Sequence, residues 1–187
     1  MIKVIKKIAR VIFCKVLFRV KIEGSIDYKE NYVIVANHNT SMDAIFLWTN
    51  IQNLCVMAKE ELFKFKPMAA VLRYIGAFPI ARGKKDFSHV YHAVKVVENK
   101  NNLLIFPEGT RKAVKKGVKA KNGATYIAAA ADVKIIPVYI SEKLRLFGQV
   151  KIKINEPVVL KINKENIKDR ELLGQETERI MNIIYNR

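Results

Sequence analysis

Short apolar runs separated by longer amphipathic stretches set the rhythm of this chain. Tyr32 to Ala36, Leu54 to Ala58 and Leu103 to Phe106 are unbroken apolar runs, the pattern of strands buried on both faces. Between them lie segments of helical period: Ala44 to Trp48, a helix with Pro67 in its first turn that reaches about Tyr74 before Gly76, and Asp86 to Lys100. In the last of these Val90, Ala93, Val94 and Val97 share one face, and Asp86 or Ser88 is the expected cap. Phe18 to Ile22 and Ala77 to Ile80 predict two more strands, and Ala124 to Ala131 an Ala-rich helix. Val133 to Ile140 is a further strand, in which Pro137 favours an edge position or a bulge. Val150 to Ile154 alternates Lys outward, Pro157 to Ile162 is expected to pair beside it, and a helix from about Asn166 to Tyr185 ends the pattern. Strands alternating with helices predict an α/β fold, with a mixed, largely parallel central sheet covered by helices on both faces.

The first twenty residues follow a different pattern. Lys3, Lys6, Lys7, Arg10, Lys15 and Arg19 recur among Ile, Val, Leu and Phe, and the longest uncharged apolar run is Val11 to Cys14. A membrane-spanning helix needs about 20 mostly uncharged residues, and a signal peptide needs a clean apolar centre, so the pattern fits neither. It predicts an N-terminal basic amphipathic helix that either lies in an anionic membrane surface or packs on the domain; its Lys/Arg-rich polar face favours the surface. The expected organisation is therefore a surface helix over residues 1–20 and one domain over residues 21–187, a length that suits a full hydrophobic core.

Charge narrows the partners. Against 17 Asp and Glu stand 34 Lys and Arg, a net +17 that draws the chain to phosphate-rich partners: nucleic acid, anionic lipid headgroups, phosphorylated substrates or an acidic carrier protein. The basic residues are scattered, without a helix-turn-helix or aromatic-basic recognition motif, which disfavours nucleic acid. Cys14 and Cys55 show no Cys-x-x-Cys spacing, so a reduced, cytosolic-side protein without a disulfide framework is expected. His89 and His92 could share a helix face, but no further ligand is spaced to complete a metal set.

The candidate chemistry sits where the run Tyr32 to Ala36 hands over to a helix, at Asn37-His38-Asn39-Thr40-Ser41-Met42-Asp43. A neutral imidazole can take a proton from a hydroxyl and return it, and a carboxylate beside it holds one ring nitrogen protonated and the other free. Positions five apart on one helix diverge by about 140°, so His38 must precede the helix while Asp43 sits in its first turn. The same residues also fit a capping arrangement, Thr40 at the helix start with Asp43 returning the hydrogen bond. Two more polar clusters follow apolar strands, Arg82 after Ala77 to Ile80 and Glu108-Gly109-Thr110-Arg111 after Leu103 to Phe106. In sheets of this type ligands gather beyond the carboxyl ends of strands.

Four motifs in order, Asn37-His38-x4-Asp43, Gly76-Ala77-Phe78-Pro79-Ile80-Ala81-Arg82, Phe106-Pro107-Glu108-Gly109-Thr110-Arg111 and Ile136-Pro137-Val138, resemble the glycerolipid acyltransferase family. The likeness covers roughly residues 30 to 160 and is nearest to bacterial 1-acylglycerol-3-phosphate acyltransferases. It implies transfer of a fatty acyl chain from a thioester donor, acyl-CoA or acyl carrier protein, to the hydroxyl of a lysophospholipid at the cytoplasmic face of a membrane, without a bound cofactor. His38 would be general base and Asp43 its partner; Arg82, Glu108, Gly109, Thr110, Arg111 and Lys121 would bind or shape the acceptor site. Alternatives for single residues are a surface role for Arg82 beside Gly83-Lys84-Lys85 and an ion pair of Glu108 with Arg111. Ala81, Lys112 and Ala120 depart from the residues common in the family, which leaves open a lysolipid acceptor other than 1-acylglycerol-3-phosphate. A protein that keeps the fold as a non-enzymatic lipid-surface binder is the alternative of another class.

Overall fold

A computed structural model of the chain describes residues 2–80, 88–111, 113, 118–142 and 144–186. Seven strands form one sheet: β1 (Arg19–Glu23), β2 (Val33–Ala36), β3 (Leu54–Lys59), β4 (Ala77–Ile80), β5 (Asn102–Ile105), β6 (Ile135–Ile140) and β7 (Gln149–Ile154). Their order across the sheet is β1-β7-β6-β2-β5-β3-β4, and every neighbouring pair is parallel except β6 and β7. β2 lies between β5 and β6, and all four of its residues are buried, which is why that stretch reads as an uninterrupted apolar run.

Helices α1 (Ile2–Ala9), α2 (Asp43–Asn50), α3 (Lys66–Tyr74), α4 (Ser88–Glu98), α5 (Gly123–Ala131) and α6 (Arg170–Tyr185) cover the sheet. On one face Ile34, Ala36, Leu104 and Ile136 pack with Phe46, Leu47 and Trp48 of α2 and with Cys14 and Phe18 from the N-terminal segment. On the other Val33, Val35, Leu103 and Ile135 pack with Ala93 and Val97 of α4, Ile127 and Ala128 of α5, and Ile180 and Ile184 of α6. The expected α/β architecture, mixed and largely parallel with helices on both faces, is what forms.

Several local expectations are corrected. Pro137 does not mark an edge, because β6 is an interior strand; it marks a bulge. Ile135 bridges Val158 while Val138 faces Ile154, so three steps along β6 oppose four along its partner. The imide nitrogen of Pro137 faces that interruption, and its carbonyl accepts from the backbone N–H and from Nδ2 of Asn155, both at 3.0 Å. Pro157 to Ile162 therefore touches β6 through Val158 and does not pair beside β7. The last helix starts at Arg170, later than Asn166, because Asp169 Oδ1 accepts from the N–H groups of Glu171 and Leu172 and caps it there.

The N-terminal helical segment also stops short of residue 20. α1 continues as a π-helical stretch, Arg10–Val16, after which Arg19 and Val20 join β1 and pair with Gln149 and Val150 of β7. No residue of α1 is fully buried. Ala9, Phe13 and Leu17 lean on the core, whereas Val4, Ile8, Val11 and Val16 remain exposed. Among the described residues, no helix is long and apolar enough to cross a membrane.

Candidate active site

β2 and β5 are parallel neighbours, so the segments that follow them emerge side by side at one end of the sheet. This brings His38 and Glu108, 70 residues apart in sequence, into direct contact. Two asparagines fix the exit from β2. Asn37 is fully buried; its Nδ2 donates to the carbonyl of Ile140 at 2.8 Å and its Oδ1 accepts from the Ile140 N–H at 2.7 Å. Asn39 Nδ2 donates to the same carbonyl at 2.9 Å. The turn carrying His38 is thereby tied to the end of β6 as well as to β2.

Asp43 opens α2 and is 1% exposed. Its Oδ2 accepts from the N–H of Asn39 at 2.7 Å, from the N–H of Thr40 at 2.8 Å and from Nδ1 of His38 at 3.0 Å, while its Oδ1 accepts from the Thr40 hydroxyl at 2.6 Å. The Thr40 hydroxyl oxygen in turn accepts from the Met42 N–H at 3.2 Å. Asp43 thus returns the expected hydrogen bond to the Thr40 N–H while also holding the imidazole, but Thr40 is not the cap of α2: Met42 takes that position without a side-chain cap bond. A buried carboxylate can only accept, so Nδ1 carries the proton and Nε2 presents its lone pair. The His38 ring lies on the Phe106 ring, centroids 4.1 Å apart and planes 19° from parallel. Phe106 fixes the plane of the imidazole and Asp43 its rotation within that plane.

The second buried carboxylate, Glu108, is 3% exposed. Its Oε2 accepts from the backbone N–H of His38 at 3.2 Å, and its Oε1 accepts from the Tyr185 hydroxyl in the last turn of α6. It makes no ion pair with Arg111, which is exposed; the carboxylate is spent inward, on the turn holding His38. Gly109 adopts φ +63°, the left-handed region where a side chain is strained, and Cε and Nζ of Lys121 stand 3.8 Å from where its Cβ would be. The Lys121 N–H donates to the Pro107 carbonyl at 2.9 Å, which brings the exposed Lys121 side chain to the Glu108-Gly109 turn. Thr110 follows, half-buried.

Of the residues singled out on the sequence, His38, Asp43, Glu108, Gly109 and Lys121 thus converge, and Thr110 and Arg111 continue the same loop. Arg82 lies outside the described residues. No cluster of three or more His, Cys, Asp or Glu suited to a metal occurs among the described residues. Four supporting residues have roles that the sequence pattern does not reveal. Phe106 and Asn37 stand in the sequence motifs, and Asn39 beside His38, with no role assigned to any of them, although asparagines at a strand end signal backbone capping. Tyr185 carries no local signal, because its partner is 77 residues away.

The Tyr185–Glu108 bond gives a direct test. In a double-mutant cycle by denaturant unfolding, Tyr185→Phe and Glu108→Gln should each cost about 1–3 kcal/mol, and the pair should show a coupling of about 0.5 kcal/mol or more. A coupling near zero would mean the tyrosine does not hold the carboxylate.

The comparisons with known proteins bear on the family and the fold. A family model described as Acyltransferase matches residues 18–141. A 1-acyl-sn-glycerol-3-phosphate acyltransferase of Streptococcus pneumoniae is 31% identical over 150 residues, which is 74% of this chain and 55% of that protein. The protein of the same name from Bacillus subtilis is 32% identical over 134 residues, 68% of this chain and 66% of the relative. The crystal structure of a 1-acyl-sn-glycerophosphate (LPA) acyltransferase from Thermotoga maritima superposes with a TM-score of 0.74 at 27% identity, covering 98% of this chain and 76% of that one. The matched segment spans about half to two thirds of the two bacterial relatives. Motifs, sheet topology and matched span lead to one conclusion: the chain belongs to the acyltransferase family.

Proposed function

We propose that the chain is an O-acyltransferase moving a fatty acyl group from a thioester donor to the free hydroxyl of a lysophospholipid, 1-acylglycerol-3-phosphate in the first instance. The observation that carries this reading is the Nδ1–Asp43 hydrogen bond of His38, which leaves Nε2 as the basic nitrogen of a residue whose backbone N–H is held by Glu108. The relatives' names support the substrate class.

In the proposed reaction the acceptor hydroxyl gives its proton to His38 Nε2 as its oxygen bonds to the thioester carbonyl carbon. The tetrahedral intermediate then expels sulfur. The imidazolium returns the proton to the leaving thiolate, and an ester and a free thiol result. Throughout, the Asp43 carboxylate stabilises the charged ring and keeps Nε2 aimed outward. No acyl-enzyme is required, so Cys14, which is buried, and Cys55 serve structure. Acyl-CoA and acyl carrier protein are both suitable donors, and no cofactor takes part in the scheme.

Arg82 is assigned to the acceptor phosphate, a role suited to a planar, permanently charged fork. Gly109 permits close approach of backbone to acceptor, Lys121 adds a cation beside it, and Thr110 and Arg111 extend the same loop toward the headgroup. Ala81, Lys112 and Ala120, where the family usually has other residues, favour a second acceptor reading: a lysophospholipid with a different headgroup. The working location is the cytoplasmic face of the cell membrane, with residues 1–20 as the surface-binding part and residues 21–187 as the catalytic domain. The exposed aliphatic residues of α1 support that assignment.

Three measurements test the proposal. His38→Ala should lower turnover by about a hundred- to ten-thousandfold while the far-UV circular dichroism stays unchanged; near-normal turnover would remove the base. Arg82→Ala should raise the acceptor KM about tenfold or more and leave the donor KM unaltered; equal effects on both would refute the phosphate role. Flotation with anionic liposomes should fall sharply when residues 1–20 are deleted, and undiminished binding would move the anchor elsewhere.

A further inference from the structure

The proposed reaction uses neither the buried Glu108 carboxylate nor its tyrosine partner. The family likeness groups Glu108 with the residues that bind or shape the acceptor site, yet it is 3% exposed and both of its oxygens are engaged within the protein. Oε2 accepts from the backbone N–H of His38 and Oε1 from the Tyr185 hydroxyl. With so little of its surface open, this carboxylate is placed to hold protein groups.

Tyr185 is fixed by the helix that carries it. Ile180 and Ile184 of α6 are buried in the core with Val33, Val35 and Leu103. The Tyr185 ring meets the Tyr139 ring of β6 edge-on, centroids 6.5 Å apart and planes at 72°. One residue later Asn186 takes φ +58° and ends the helix, its N–H donating to the Ile183 carbonyl at 3.4 Å. The half-buried phenol therefore stands on an anchored element, where a supporting side chain holds its geometry best.

His38 is held in two ways, its ring by Asp43 and Phe106 and its backbone by Glu108. Phe106 lies two residues before Glu108 on the same segment, so a shift of Glu108 disturbs both the backbone of His38 and the ring stacked on its imidazole. Without the Tyr185 hydroxyl, Oε1 is a buried charged acceptor lacking its partner. The carboxylate then gains by turning toward water or another donor, at the expense of its bond to the His38 N–H. Nε2 moves with that backbone, and a misplacement of about 1 Å is enough to cost about a hundredfold in rate.

We infer that Tyr185 is a positioning residue for acyl transfer: acting through Glu108, it fixes the backbone of His38 and with it the place of Nε2. The inference rests on the proposed role of His38 as base, and it gives Glu108 the support of that base as its task.

Kinetics test the role. Tyr185→Phe removes one oxygen and keeps the ring. Its kcat with 1-acylglycerol-3-phosphate should fall about tenfold, with the KM of both substrates within about twofold of wild type. A rise in acceptor KM at unchanged kcat would place the pair at the acceptor and overturn the positioning role. Glu108→Ala should lower kcat further, and adding Tyr185→Phe to it should do nothing more, because the tyrosine then has no carboxylate to act through. Losses that multiply would overturn the route through Glu108. Asp169→Ala controls for helix stability, since it removes the cap at the other end of α6, about 24 Å away along the axis. Its kcat should equal that of wild type at a temperature where both are folded; a matching fall would reduce the effect to stability. Amide hydrogen exchange reads the link without catalysis. Relative to the amides of β2, the His38 N–H should exchange about tenfold faster in Tyr185→Phe and at the wild-type rate in Asp169→Ala. An unchanged rate in Tyr185→Phe would overturn the inference. A wild type inactive in acyl transfer would sink the proposed reaction and leave the exchange rates to judge the link.

Discussion

The Asp43 carboxylate is the constraint on which the rest of the site depends. Burying an ionised carboxylate is costly unless its oxygens are satisfied, and here four donors satisfy it: two backbone N–H groups, one hydroxyl and one imidazole. Three of the four belong to Asn39 and Thr40, the residues that turn the chain from β2 into α2. The geometry that makes the turn affordable is therefore the same geometry that aims His38. A change that loosens the turn loosens the imidazole, and a change that removes the carboxylate leaves two amides and a hydroxyl unpaired in a dry place.

The site is assembled from pieces far apart in sequence by one topological fact, the parallel adjacency of β5, β2 and β6. Parallel neighbours send their following loops out at the same end. Each of the three ends is pinned to another by side chains acting on backbone. Asn37 and Asn39 hold Ile140, Glu108 holds the N–H of His38, and Tyr185 holds Glu108 from α6. Two carboxylates thus have distinct tasks. Asp43 sets the ring, and Glu108 sets the backbone that carries it.

How much of this could be read from the chain follows from the range of the interactions. β2, β3 and β5 are legible because their apolar runs, Tyr32 to Ala36, Leu54 to Ala58 and Leu103 to Phe106, are unbroken, a property of a few consecutive positions. The His38–Asp43 pairing is legible because five residues at a strand-to-helix junction constrain each other locally. Strand order, the single antiparallel pair and the placement of Val158 on β6 are set by pairing between distant segments, and no local period encodes them. Pro137 shows the boundary: its missing N–H signals an interruption of the ladder, yet whether the interruption is an edge or a bulge depends on Asn155 and Val158. Tyr185 is the extreme case, a helix-end residue indistinguishable by pattern from any other aromatic that packs.

The surplus of positive charge must also be reconciled with the fold. Four of the five Lys or Arg ion pairs among the described residues are between exposed partners, Lys21–Glu23, Lys59–Glu61, Lys95–Glu98 and Lys134–Glu30, and pairs of that kind contribute little to stability. Arg179 with the buried Glu176 is the exception. The remaining cations repel one another and oppose compaction, so the fold gains nothing by keeping 34 Lys and Arg against 17 acids. α1 repeats the same paradox in miniature. A helix serving only to cover a core would turn Val4 and Ile8 inward and Lys6 outward, and the structure does the reverse. Both features are costs to an isolated monomer in water, and both become favourable against a surface that is anionic at its face and apolar beneath it. The arrangement is therefore stable in the folding sense and incomplete in the solvation sense, and the proposed association with such a surface would complete it.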